Sequence, residues 1–289
     1  MTRTIATFTA TALGTCLIAA PAFATDVVVE DFIGTITLVE GAENIDVERD
    51  HSKLSMDEGG ESLRIDGGFT KPSREKVCSY KGFRPTEERR LRDYPVLRLS
   101  VPEGSTLELR NSIVKLDVGV ALSSADLKLM GCFDTTLADV LELDIGKSGS
   151  GDLSARDVGA FTLKKSGSGT VRLREVGTMR LGQSGSGDLE IGRVGRALEV
   201  NKSGSGDIEV AEFYGDFSLR QSGSGNVDID GGAVDTVDIR KSGSGNVSID
   251  AETREAKVSQ SGSGNVTVAR VTGDRNVSKS GSGKVRLGD

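Results

Sequence analysis

Four residues, Ser-Gly-Ser-Gly, recur eight times in this chain, beginning at Ser148, Ser166, Ser184, Ser203, Ser222, Ser242, Ser261 and Ser280. The intervals are 18, 18, 19, 19, 20, 19 and 19 residues. A flexible Gly/Ser linker has no reason to hold such a period, so each string marks one structural unit. The apolar residues between strings keep the same register. Three residues before each string stand Ile145, Leu163, Leu181, Val200, Leu219, Ile239, Val258 and Val277. Five residues after each string begins stand Leu153, Val171, Leu189, Ile208, Val227, Val247, Val266 and Val285. A further row follows two residues on, from Ala155 to Leu287. Alternation at period two in short β-branched segments is the pattern of half-buried strands.

A unit of this length is too short for a propeller blade and has no helix for a leucine-rich horseshoe. It fits one coil of a β-solenoid, stacked ~4.8 Å from the next through parallel ladders. Parallel crossovers are right-handed by default. The predicted fold is therefore all-β, a right-handed parallel β-helix with coils of 18–20 residues. Composition agrees: 38 Gly and 5 Pro among 289 residues exclude collagen, and Gly in a helix interior costs ~1 kcal/mol relative to Ala.

The rhythm continues upstream in weaker form. Ile36/Leu38 recur as Leu54/Met56, and Ile45/Val47 as Leu63/Ile65, each 18 residues on. Leu107/Leu109, Leu127/Leu129 and Leu143/Ile145 carry it to the first string. The expected organisation is a leader at 1–24 and one solenoid domain at 25–289. Its coils are degenerate over 26–147 and regular over 148–289, about a dozen in all. Residues 67–93 interrupt the pattern with eight Lys/Arg against four acids, a basic island that includes Lys81, Arg84, Arg89 and Arg90. Long insertions in solenoids project as loops and often bind partners; a merely solvated loop is the plainer alternative.

Residues 1–24 have the order of an export signal. Arg3 supplies the positive charge, an uncharged apolar stretch follows, and Ala22-Phe23-Ala24 offers small residues where a signal peptidase reads. Cleavage after Ala24 is expected, with no later stretch apolar enough to span a membrane as a helix. Export to the periplasm, cell surface or medium would put Cys78 and Cys132 where a disulfide persists, and their pairing is expected, with two separate thiols as the alternative. With 36 basic and 43 acidic residues the net charge is −7, which disfavours nucleic acid as a partner.

Stacking turns each repeat position into a column. Directly before the strings stand Lys147, Lys165, Gln183, Lys202, Gln221, Lys241, Gln260 and Lys279. Interposed Gln would hold ammonium groups two coils apart on an exposed face. Alternatively Lys165, Lys202, Lys241 and Lys279 form a cationic stripe for an anionic partner, together with the basic island. After the strings, Asn226, Asn246 and Asn265 are expected to form an amide ladder. Asp188, Glu190, Asp207, Glu209, Asp228 and Asp230 make an acidic face that is a candidate for Ca²⁺, the one cofactor considered. A polysaccharide-cleaving enzyme is the third class. The single His51 and the lack of a non-periodic polar constellation argue against catalysis.

The repeated Gly149-Ser150-Gly151-Asp152, Gly185-Ser186-Gly187-Asp188 and Gly223-Ser224-Gly225-Asn226, each followed by an alternating strand, resemble the GIN-domain family of auto-transporter adhesin heads. The resemblance spans 26–289 loosely and 143–289 strongly. It implies an exported bacterial parallel β-helix and supplies no catalytic residues. The expected function is a non-catalytic, adhesin-like scaffold of the envelope or exterior. The alternative is a module binding surface glycans, cations or an envelope protein. The coil at 280–289 carries the further expectation of self-association or capping by a partner through its open edge.

Overall fold

The computed structural model describes residues 24–42, 44–59, 62–78 and 90–289. Nearly every element is a strand: β1 (Asp26–Glu30), β2 (Ile33–Glu40), β3 (Asn44–Arg49), β4 (Ser55–Gly59), β5 (Ser62–Asp66), β6 (Val96–Val101), β7 (Thr106–Val118), β8 (Leu122–Leu129), β9 (Thr135–Leu137) and β10 (Val140–Lys147) come first. Then follow β11 (Leu153–Lys165), β12 (Val171–Gln183), β13 (Leu189–Lys202), β14 (Ile208–Gln221), β15 (Val227–Ile229), β16 (Gly232–Lys241), β17 (Val247–Gln260), β18 (Val266–Val271), β19 (Arg275–Lys279) and β20 (Val285–Leu287). They stack as a parallel β-solenoid of about 10 turns.

The ladders follow the sequence period. Leu153 pairs with Val171, Val171 with Leu189, Leu189 with Ile208, Ile208 with Val227, Val227 with Val247 and Val247 with Val266. The second aliphatic row stacks likewise from Ile145 through Leu163, Leu181, Val200, Leu219 and Ile239 to Val258. All of these are buried, so the two rows form one continuous hydrophobic core along the axis. Where a coil is longer, the ladder absorbs the extra residue in a shift, at Val176/Thr178 and again at Gly215/Asp216.

The first hundred residues depart from a simple succession of coils. β1 lies between β5 and β7, and β2 between β6 and β7. From β1 and β2, inside the stack, the described chain runs out to its end and returns to β7. Contacts 80 residues apart lock this arrangement. The Thr25 amide donates to Ser105 Oγ at 3.0 Å, and the Phe32 amide to Ser112 Oγ at 3.1 Å. Asp31 and Asn111 both hold positive φ at one corner, with the Asn111 side-chain Nδ2 donating to the Asp31 carboxylate. These residue types tolerate that backbone region best after Gly.

β3 pairs antiparallel with β6, and β4 antiparallel with β5. The expected coils at 44–59 are therefore corrected: the 18-residue echo there reflects strand alternation and not stacking, whereas β5 does stack in parallel on β1. Only two residues separate β4 from β5, whereas a parallel step needs a crossover of about a dozen. Both antiparallel strands lie over the outermost coil, with Ile45, Val47 and Leu54 half-buried against the core. At the other end β19 pairs with β17 and β20 with β18, and Val277 is 47% exposed.

Candidate functional site

The Ser-Gly corner organises the solenoid. In each string the Gly residues sit directly over backbone carbonyls of the preceding coil, those of Gly residues throughout except for Gly151, which lies over Phe133. A Cβ on Gly204 would fall well inside van der Waals contact of the Gly185 carbonyl, and Gly149 and Gly223 are in the same position. Glycine is required here by close backbone approach; the string glycines do not have the positive φ found at Gly104 or Gly215.

The residue before each of the first seven strings points inward. Lys147, Lys165, Gln183, Lys202, Gln221, Lys241 and Gln260 are all buried. This corrects the expectation of an exposed cationic stripe: Lys165, Lys202 and Lys241 are each 2% exposed and cannot contact an anionic partner. Lys279, on the terminal rung, is exposed. The inward direction follows from strand parity, since Phe161, Leu163 and Lys165 are alternate residues of one strand and all face the core. Parity was legible in the sequence; the polar identity of Lys concealed it.

These side chains close the corner from within. Lys202 Nζ donates to the Gly204 carbonyl at 3.0 Å and Lys241 Nζ to Gly243 at 2.6 Å. Lys147 reaches the Gly151 carbonyl, and the amides of Gln183, Gln221 and Gln260 reach those of Gly187, Gly225 and Gly264. In each of these six strings a corner carbonyl thereby gains a donor. Burial lowers the pKa of Lys147, Lys202 and Lys241. Lys165 is pushed down to about 8, first by burial and then by the Lys147 ammonium one coil away. Its Nζ has no hydrogen-bond partner among the described residues.

The position after each string builds a second interlock. The Asp134 carboxylate accepts from the Asp152 amide at 2.7 Å, and Asp152 from the Thr170 amide at 2.8 Å. Asp188, Asp207, Asn226, Asn246 and Asn265 each accept the amide of the next coil's equivalent residue, at 2.6–3.0 Å. The series is thus chiefly a side-chain-to-backbone staircase, with one amide–amide contact of 3.5 Å between Asn246 and Asn226. Asp and Asn are interchangeable in it because both supply the Oδ1 acceptor.

The staircase also accounts for two of the acidic candidates, Asp188 and Asp207. Glu190 accepts from Arg172 at 3.0 Å, and Glu209 and Asp228 follow it in successive coils. Asp228 is half-buried, and burial, then the charges of Asp207, Asp230, Glu209 and Asp250, raise its carboxyl pKa. The six carboxylates form rows, one rung per coil. Among the described residues no three His, Cys, Asp or Glu side chains gather in a group able to hold a metal ion.

A half-open groove of about 310 Å³ crosses four coils on another face. Its floor is the short column Ala160, Thr178 and Ala197, and its rim carries Arg180, Glu199 and Asp216. Arg180 stands 3.6 Å from Glu199, which also accepts from Arg220 at 3.5 Å.

Cys78 and Cys132 form a disulfide, with Cα atoms 5.6 Å apart, that ties the insertion to the corner column. Phe69, Val77, Leu91 and Phe133 pack there as a small second core with Ile33 and Ile113. Arg90 donates to Cys132 Sγ at 3.2 Å and is therefore held against the rod. Lys81, Arg84 and Arg89 lie outside the described residues, as do residues 1–23, where the leader is expected.

The regular coils are also where a family likeness falls. Residues 196–288 match the family described as "Putative auto-transporter adhesin, head GIN domain". The match begins between the third and fourth Ser-Gly strings and includes the staircase from Asp207 to Lys284. A crystal structure titled as a putative adhesin from Bacteroides fragilis NCTC 9343 is similar at a TM-score of 0.35 and 11% identity, covering 93% of this chain and 94% of that one. No curated protein matches the chain. No helix among the described residues is long and apolar enough to cross a membrane.

Proposed function

We propose that this chain is an exported, non-catalytic scaffold that displays adhesin-like contact faces at the cell envelope or outside it. The observation that carries the reading is how the repeat spends its polar residues. The Lys/Gln column and the Asp/Asn staircase both bind backbone groups, which couples each coil to the next and stiffens the rod. The faces between the corners remain free to meet a partner over many coils. The adhesin-head description of the family matched at 196–288 supports the same reading.

Export is supported by the signal-like order of residues 1–24 and by the Cys78–Cys132 disulfide. The expected mature terminus is held in the fold, the Thr106 amide donating to the Thr25 carbonyl at 3.0 Å. The test is expression of the full chain in a Gram-negative host, followed by fractionation, N-terminal sequencing and thiol mapping. The expected product begins at Thr25, outside the cytoplasm, with both cysteines oxidised. A cytoplasmic chain that keeps Met1 and free thiols would overturn the proposal. Release of reducing ends from pectin or alginate by the purified protein would overturn its non-catalytic part.

A further inference from the structure

We propose that the groove between Ala160 and Ser218 is a binding site for a neutral oligosaccharide; this rests on the reading of the rod's faces as contact surfaces. The column that forms its floor carries three short side chains in succession between two acidic ones. Ala160, Thr178 and Ala197 occupy positions held by Glu142 in the coil before and by Asp216, Thr236 and Glu255 in the coils after. Three successive short side chains open a hollow of about 310 Å³, within the size range of small-ligand sites. The extra residue of β13 is absorbed at this same level, between Val176 and Thr178. Such irregularities re-aim side chains next to a site.

The floor selects against a peptide. β12 and β13 are paired on both sides, so no main-chain edge is available for an added strand. Recognition must come from side chains. The Ala floor suits the C–H face of a pyranose ring, while Thr162, Thr178 and Ser218 offer hydroxyls to its edge. Arg180 donates only, and Glu199 and Asp216 accept only, which matches the donor and acceptor duality of sugar hydroxyls.

Charge decides between neutral and acidic sugars. Glu199 stands between Arg180 and Arg220, and Asp216 already accepts from Thr236 Oγ1 at 2.6 Å. Among the groups that line the groove Arg180 faces two carboxylates, Glu199 and Asp216, so a carboxylated or sulfated sugar would be repelled. The coil spacing of ~4.8 Å is close to the length of one pyranose unit, so consecutive sugars would meet equivalent shelves.

The test is ligand-observed NMR and calorimetry on the full chain with cellotetraose, chitotetraose and mannotetraose, and tetragalacturonate as the acidic counterpart. At least one neutral tetrasaccharide should bind with a Kd of about 1 mM or tighter. Ala197→Trp, which fills the groove, should weaken it by about tenfold or more. Ala211→Trp, at an exposed position on another face, should bind as the parent does. If Ala197→Trp fails to fold, Ala160→Gln gives the same comparison. The proposal is overturned if no neutral probe binds at about 10 mM, if filling the groove changes nothing, or if tetragalacturonate binds best. Failure here would leave export and the scaffold reading standing, because those are read from the mature terminus and the location of the protein.

Discussion

Lys147 and Lys165 stand one directly above the other in adjacent coils, both buried behind the Ser-Gly corner, and only Lys147 finds a carbonyl for its ammonium group. Everywhere later in the buried column a Gln separates successive lysines. Two ammonium groups about one coil apart repel strongly where water is excluded.

Lys165→Gln should therefore stabilise the protein at pH 7, by about 1–2 kcal/mol. The pH dependence has a definite sign. The folded pKa of about 8 lies below the ordinary lysine value of 10.5, so between those values the unfolded chain binds the extra proton. The wild type then gains stability as pH rises from about 8 towards 10.5. The advantage of Lys165→Gln should shrink over that window in urea titrations. An advantage independent of pH would show that the ammonium charge is not its source.

Gly204→Ala should cost about 3 kcal/mol or more, because its Cβ meets the Gly185 carbonyl and only separation of the coils relieves the clash. Gly104→Ala is the matched control. Its φ is +82° but its Cβ position is open, so only backbone strain of about 1 kcal/mol is expected. Equal losses in thermal melts would mean that conformation, not approach, sets the Gly requirement at the corner.

Asn226→Ala removes the acceptor for the Asn246 amide and should cost about 1 kcal/mol, while Asn226→Asp should cost less. Thr170 interrupts the staircase: among the described residues the Asp188 amide has no side-chain acceptor from the coil before it. Thr170→Asn should restore the step and raise stability by about 1 kcal/mol. A destabilised Thr170→Asn protein would show that the series is incidental to stacking.

Ile229→Asp should cost several kcal/mol, since Ile229 is fully packed between Val210 and Ile249. Its neighbour Asp228 faces the acidic row and has a raised carboxyl pKa. Asp228→Ser should be neutral or stabilising near pH 7. Its gain should disappear on acidification, because the wild-type carboxylate is then protonated and its repulsion relieved. Similar losses from both substitutions in denaturant titrations would contradict the assignment of inside and outside.

How much of this was legible in the sequence varies from column to column. The aliphatic rows and the parallel register were readable because one residue type recurred at one interval, and burial of a β-branched stripe is the dominant favourable term of such a fold. Lys165 was misplaced because a cation is ordinarily a surface residue, whereas its parity with Phe161 and Leu163 already directed it inward. The staircase from Asp207 to Asn265 was visible as a column but not as an interlock, since the amide it serves belongs to the following coil.

The repeat by itself determined the solenoid, the two strands and corner of each coil, and the need for Gly at that corner, because stacking identical units turns every local preference into a column. Only the tertiary structure decided that β1 and β2 sit between β7 and the later β5 and β6, that β3 and β4 turn antiparallel over the end, and that a groove opens at Ala160, Thr178 and Ala197. Those features depend on partners up to 80 residues apart and on side-chain volumes summed across neighbouring coils. Neither quantity is carried by any local stretch of the chain.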